Sequence, residues 1–122
     1  IGFPWENKGH IMKTRRLIYK ADPDFIEVKM ALPYYGTPLY ETCREDNLLA
    51  KNVLGSDFFH SSMTGTRYLT IKEVEALRRR ILLGFYLRPR YILRKLEECA
   101  KQPSVFLNYV KYGIRLITNL FR

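Results

Sequence analysis

The spacing of hydrophobic residues divides the chain into helical stretches, one alternating run and one stretch without pattern. From Gly9 to Lys20 the spacing predicts a helix, with Ile11, Leu17 and Ile18 on its inner face and Lys13, Arg15 and Arg16 outside. Ala21-Asp22-Pro23-Asp24 ends it, because a proline disfavours helical backbone at the residue before it. Phe25 to Leu32 then alternates, Ile26, Val28, Met30 and Leu32 on one side and Glu27 and Lys29 on the other, which predicts a strand with one dry face. At the corner that follows, Gly36 can take positive φ, Thr37 is an N-cap candidate and Pro38 suits the first position of a helix. That helix is expected to reach about Leu49, carrying Leu39, Tyr40, Cys43 and Leu48. From Lys51 to Arg67 glycine, serine and aspartate predominate, and a loop is expected with Phe58, Phe59 and Met63 as anchors.

The second part reads as helical throughout. Thr70-Ile71-Lys72-Glu73 has the form of a capping box, and Ile71, Val74, Leu77, Ile81 and Phe85 follow at helical spacing. Arg88-Pro89 breaks this helix and opens another, in which Ile92, Leu96 and Cys99 form the expected inner stripe. After a break at Gln102-Pro103, residues Ser104 to Phe121 predict a last helix roughly 27 Å long. Its apolar side takes Phe106, Tyr109, Val110, Gly113, Ile117 and Leu120, and its polar side Asn108, Lys111, Arg115, Asn119 and Arg122. The fold expected from the pattern is α+β and mostly helical, about five helices and one strand at Phe25 to Leu32, with a strand stub at Ile1 to Phe3. Three parts are expected: 1–50, a loop at 51–69, and a basic helical region at 70–122.

Charge sharpens that division. Residues 1–66 carry eight Lys and Arg against eight Asp and Glu, whereas residues 67–122 carry thirteen against four, so the second part holds the whole net charge of +9. With 47% apolar and 27% charged residues the chain has globular composition. The longest uncharged stretch is the 11 residues from Met30 to Tyr40, well short of the roughly 20 that a membrane-spanning helix requires. The chain opens on Ile1-Gly2-Phe3-Pro4 without an initiator methionine and reads as a piece of something longer, cytoplasmic or peripheral to a membrane.

Candidate chemistry is sparse. His10 and His60 stand 50 positions apart with no nucleophile motif beside either, there is no glycine-rich phosphate loop, and Asp22, Asp24 and Glu27 cluster at a turn where solvated acids are expected. No catalytic residue and no metal ligand is assigned. Cys43 and Cys99, 56 positions apart, lack the company a metal site needs and are expected to be buried thiols without a bridge. Arg78-Arg79-Arg80, Arg88, Arg90, Arg94 and Lys95, interleaved with Phe85, Tyr86 and Tyr91, leave three readings open. They are a wet cationic face, a surface for anionic lipid or acidic partners, and a nucleic-acid site, the last disfavoured by the lack of any binding motif.

Three ordered stretches resemble one family. Gly2-Phe3-Pro4-Trp5-Glu6 resembles the Gly-Leu-Pro-Gly-Glu-Thr segment of radical S-adenosylmethionine enzymes. Asp22-Pro23-Asp24-Phe25 with Pro33-Tyr34-Tyr35-Gly36-Thr37-Pro38-Leu39-Tyr40 is similar to their sixth-strand segment, which ends in Pro-Tyr-Pro-Gly-Thr-x-Leu-Tyr. Phe85-Tyr86-Leu87-Arg88-Pro89-Arg90-Tyr91-Ile92 resembles the helical tail of the cobalamin-binding branch, which includes Fe-S oxidoreductases of the anaerobic magnesium-protoporphyrin monomethyl ester cyclase type. The resemblance implies the last strand–helix units of a partial (β/α) barrel followed by a C-terminal helical region. It further implies a parent enzyme, an oxidoreductase, cyclase or methyltransferase, that uses a 4Fe-4S cluster, S-adenosylmethionine and cobalamin. Gly2, Glu6, Pro33 and Gly36 match positions that shape the cofactor pocket, in the parent only. Trp5 and Tyr35 depart from the family's glycine and proline. The cluster motif Cys-x-x-x-Cys-x-x-Cys is absent from the chain, so the piece alone is expected to be inactive and without cofactor. Its expected partners are the rest of the parent chain and, through an exposed strand edge at Phe25–Leu32, a second copy.

Overall fold

In a computed structural model, residues 1–49 and 65–121 are described. Phe58, Phe59, His60 and Met63, with most of the expected loop, lie outside them. The described residues form five helices and no strand: α1 Lys8–Ala21, α2 Pro38–Glu45, α3 Ile71–Tyr86, α4 Pro89–Lys101 and α5 Pro103–Phe121. They fall into two units, Ile1–Leu82 and Leu83–Arg122, with the boundary inside α3.

The expectation of an α+β fold ending a partial (β/α) barrel is therefore corrected: the described residues have helices as their only regular elements. The alternation in Phe25–Leu32 is real as a pattern of burial, since Val28 is buried while Glu27 and Lys29 are exposed and pair at 3.6 Å. A strand needs in addition a ladder of successive backbone pairs. The bonds made here go elsewhere. The Ala31 amide donates to the Ile1 carbonyl at 2.7 Å, the Ile1 amino group donates to the Lys29 carbonyl at 2.9 Å, and Arg78 Nε of α3 donates to the Val28 carbonyl at 2.8 Å. Ile1 and the Arg78 side chain thus tie down the run, and among the described residues no strand forms.

Helix termini follow local chemistry. Asn7 caps α1: its Oδ1 accepts from the His10 amide at 3.0 Å, and His10 Nδ1 accepts from the Asn7 amide at 3.4 Å. Asp22 closes α1 with a left-handed backbone, φ 44°, a conformation that aspartate tolerates better than most residues. At α2, Thr37 Oγ1 accepts from the Tyr40 amide at 3.2 Å and Pro38 takes the first helical position, as the sequence predicts. The helix stops at Glu45 rather than Leu49. Asn47 takes φ 54°, its amide donates to the Arg44 carbonyl at 3.1 Å, and the Leu48 amide reaches back to the Cys43 carbonyl at 2.8 Å. This is a Schellman ending with asparagine in place of glycine. At α3 the predicted capping box forms: Thr70 donates to Glu73 Oε2 through both its amide and its hydroxyl, each at 2.8 Å, and the Glu73 amide donates to Thr70 Oγ1 at 3.3 Å.

Burial in the first unit gathers Ile11 of α1, Val28, Cys43 of α2, and Val74, Leu77, Ile81 and Leu82 of α3. Each such side chain stabilises the fold by roughly 1.5–3 kcal/mol relative to exposure. Leu17, expected inside, is 67% exposed. In the second unit α4 packs on α5. Its buried stripe is Tyr91 and Lys95, while Ile92 and Leu96 are exposed, so the expected inner stripe of α4 is displaced by one residue.

Two glycines differ in what they require. A Cβ on Gly65 would lie 2.8 Å from the Leu69 carbonyl oxygen, whereas one on Gly36 would meet nothing within 4 Å, although Gly36 has φ +79°. Gly65→Ala is expected to lose about 2–3 kcal/mol, since backbone must move, and Gly36→Ala about 1 kcal/mol, from its conformation alone; chemical denaturation of the two variants measures both. A pH dependence follows from the capping box. The Thr70 amide, then its hydroxyl, hold the Glu73 carboxyl below the usual 4.5. Because the folded value is the lower one, this contribution is complete above pH 4.5 and fades as pH falls through the depressed value. Melting temperature followed downward from neutral pH should fall less in Glu73→Gln than in the parent chain.

Candidate functional site

Gly2, Glu6, Pro33 and Gly36 all lie in the first unit. The first two meet directly. Residues 3–6 form a tight turn closed by the Glu6 amide donating to the Phe3 carbonyl at 2.9 Å. Glu6 Oε2 then accepts from the Gly2 amide at 2.6 Å and the Phe3 amide at 3.0 Å, so a single carboxylate oxygen holds two backbone donors. Charge-assisted bonds of this kind are roughly twice as strong as neutral ones. Gly2 is buried, takes φ +90°, and lies so near α3 that a Cβ there would stand 3.2 Å from Val74 Cγ1.

Pro33 is buried, two residues beyond the Ala31 amide that pairs with Ile1. Gly36 is exposed. It occupies the third position of a turn in which the Thr37 amide donates to the Tyr34 carbonyl at 3.1 Å, and its positive φ is the sign that a type II turn demands there. Aromatic rings surround both turns. Phe3 and Trp5 stack with centroids 5.2 Å apart and 17° between planes, and Tyr35 meets Tyr40 edge-on at 5.2 Å. Trp5, which stands where the resembling family has glycine, is 54% exposed and rests on Phe3. The hydrogen bonds of Gly2 and Glu6 are thus made to each other and to the turn, and what the arrangement visibly does is fix the backbone of residues 1–6.

The residues outside these turns have other duties. His10 caps α1, as above. Cys43 is buried, Cys99 half-buried, and neither forms a disulfide. Among the described residues no three His, Cys, Asp or Glu side chains stand together as a metal would need. An iron–sulfur cluster therefore has no donor set among them. Arg67 Nε bonds Asp46 Oδ2 at 2.7 Å, tying the segment before α3 to the end of α2.

The second unit holds a polar cluster that hydrophobic spacing did not reveal. Lys95, 8% exposed, donates from Nζ to Glu98 Oε2 at 2.8 Å and to the Tyr109 hydroxyl at 3.3 Å, and the Tyr109 hydroxyl donates to the same carboxylate oxygen at 2.7 Å. The Lys95 ammonium also stands 5.1 Å from the Tyr109 ring centroid and 5.8 Å from that of Tyr91. Burial above all, and then its neighbour Tyr86, push the Tyr91 phenol up to about 12. Lys95 and Glu98 at i and i+3 were the available signal, one that ordinarily marks an exposed pair.

No protein-family profile matches the chain. It is similar to an uncharacterised methyltransferase of Pyrococcus horikoshii, 29% identical over 98 residues, which are 80% of this chain and 21% of that protein. The chain thus spans about a fifth of the length of that relative. No solved structure matches. The turn itself is open to test: Glu6→Ala is expected to lower stability by about 2 kcal/mol and Glu6→Gln by about half as much, since an amide oxygen still accepts. Urea denaturation of the two variants reads the difference.

Proposed function

We propose that the chain is part of a longer S-adenosylmethionine-dependent methyltransferase of the radical type, in the branch that also uses cobalamin. The observation that supports this most is the similarity to a methyltransferase over 80% of the chain. The ordered stretches at Gly2–Glu6, Pro33–Tyr40 and Phe85–Ile92, which resemble radical S-adenosylmethionine enzymes, support the finer part. S-adenosylmethionine, when bound, supplies a methyl group on a sulfonium, or a carbon radical after reductive cleavage at a 4Fe-4S cluster held elsewhere in the longer protein. In this reading the turn made by Gly2 and Glu6 and the corner from Pro33 to Gly36 present fixed backbone to one edge of the cofactor pocket. The turn geometry suits that task, because a backbone held by Glu6 does not rearrange when a ligand arrives. The chain alone performs no methyl transfer.

The test sets the longer protein beside the isolated chain, both reconstituted anaerobically with iron, sulfide and cobalamin. The expected result is transfer of labelled methyl from S-adenosylmethionine by the longer protein, with iron, sulfide and cobalamin bound there and none bound by the 122-residue chain. A longer protein that transfers methyl without iron or cobalamin keeps the methyltransferase and removes its radical type. One that leaves S-adenosylmethionine unconsumed ends the reading altogether.

A further inference from the structure

The second unit wears its apolar residues outside. On α5, Phe106, Leu107, Val110 and Ile114 are 40–63% exposed, and at helical spacing they fall within an arc of about 100°. Lys111 and Arg115, both exposed, lie about 40° and 80° beyond one edge of that arc. On α4, Ile92, Leu93 and Leu96 form a second exposed stripe, with Arg90 and Lys101 exposed on the same helix. A water-facing helix has no use for such stripes, since exposed contiguous apolar surface signals an interaction.

The charge around them has one sign. Residues 83–122 hold eight Lys and Arg and two acids, Glu97 and Glu98. Glu98 is turned to Lys95 and Tyr109, and from Cys99 to Arg122 there is no acidic residue at all. No helix among the described residues is long and apolar enough to cross a membrane. An apolar stripe with cations along one side, on a helix that does not span, is the pattern of a helix lying in the headgroup layer of an anionic bilayer. A polynucleotide would use the cations and leave aliphatic Leu107, Val110 and Ile114 without a partner, because bases stack on rings rather than on branched chains.

We infer that α5, through Phe106, Leu107, Val110 and Ile114 with Lys111 and Arg115, docks on an anionic lipid surface. The apolar residues enter the boundary between headgroups and acyl chains, and the two cations meet the phosphates. This inference stands apart from the methyltransferase reading.

The experiment is co-sedimentation of the intact chain with phosphatidylcholine vesicles that contain or lack phosphatidylserine. Binding is expected only to the anionic vesicles and should weaken as salt rises. The double variant K111E/R115E is expected to bind roughly thirty-fold less tightly or worse, and F106S/L107S at least about ten-fold less tightly. All four positions are exposed, and circular dichroism confirms that the helices persist. Equal binding to neutral vesicles, no binding to either, or binding indifferent to F106S/L107S each overturns the inference. So does a lipid-free chain that sediments as a dimer and becomes monomeric in F106S/L107S, for the face is then taken by a second copy.

Discussion

The first unit hangs on a turn of six residues. Ile1 pairs with Lys29 and Ala31, the Pro4 carbonyl accepts from the Arg67 amide at 2.9 Å just ahead of α3, and Glu6 gathers the Gly2 and Phe3 amides immediately before Asn7 caps α1. All of this requires Gly2 to come close to Val74 with a positive φ, which a side chain would oppose twice, by strain and by contact. The turn therefore joins α1, the run at 25–32 and the start of α3 through backbone bonds. The buried residues of those elements are then set by geometry that one carboxylate holds.

Much of the helix framework was legible because caps are local. Thr37, Pro38 and Gly36 announced α2, and Thr70 with Glu73 announced α3, since each motif completes its own hydrogen bonds within four residues. The end of α2 was not legible by the same means. Asn47 in a left-handed conformation does what glycine usually does, and asparagine gives a weaker signal of it. The run at Phe25–Leu32 failed for a deeper reason. Alternation reports one-sided burial, which Val28 obeys, but a ladder depends on a neighbour that no local pattern specifies. Gly2 and Glu6 were singled out by resemblance, and the structure shows them bonded to each other. Pro33 and Gly36 were singled out on the same ground, and Gly36 also on its turn chemistry.

Lys95 explains why the stripe of α4 was misplaced. Hydrophobic ranking puts Ile92 and Leu96 inside and lysine outside. Here the ammonium has a carboxylate, a phenol and two ring faces, so its burial is compensated, and the helix turns Tyr91 and Lys95 inward. Rotation of a helix cannot satisfy both stripes. Once the polar cluster takes the inside, Ile92 and Leu96 must face out, and the exposed apolar surface of this unit is partly the price of that choice.

The similarity to the methyltransferase is not confined to the first unit. It covers 98 residues, more than the 82 of the first unit, so it takes in residues of the second as well. In the second unit the acids are confined to Glu97 and Glu98, while the cations run on to the last residue. The asymmetry of charge between the halves and the inversion of polarity on α4 point the same way. The second unit presents cations and exposed apolar stripes on the same helices.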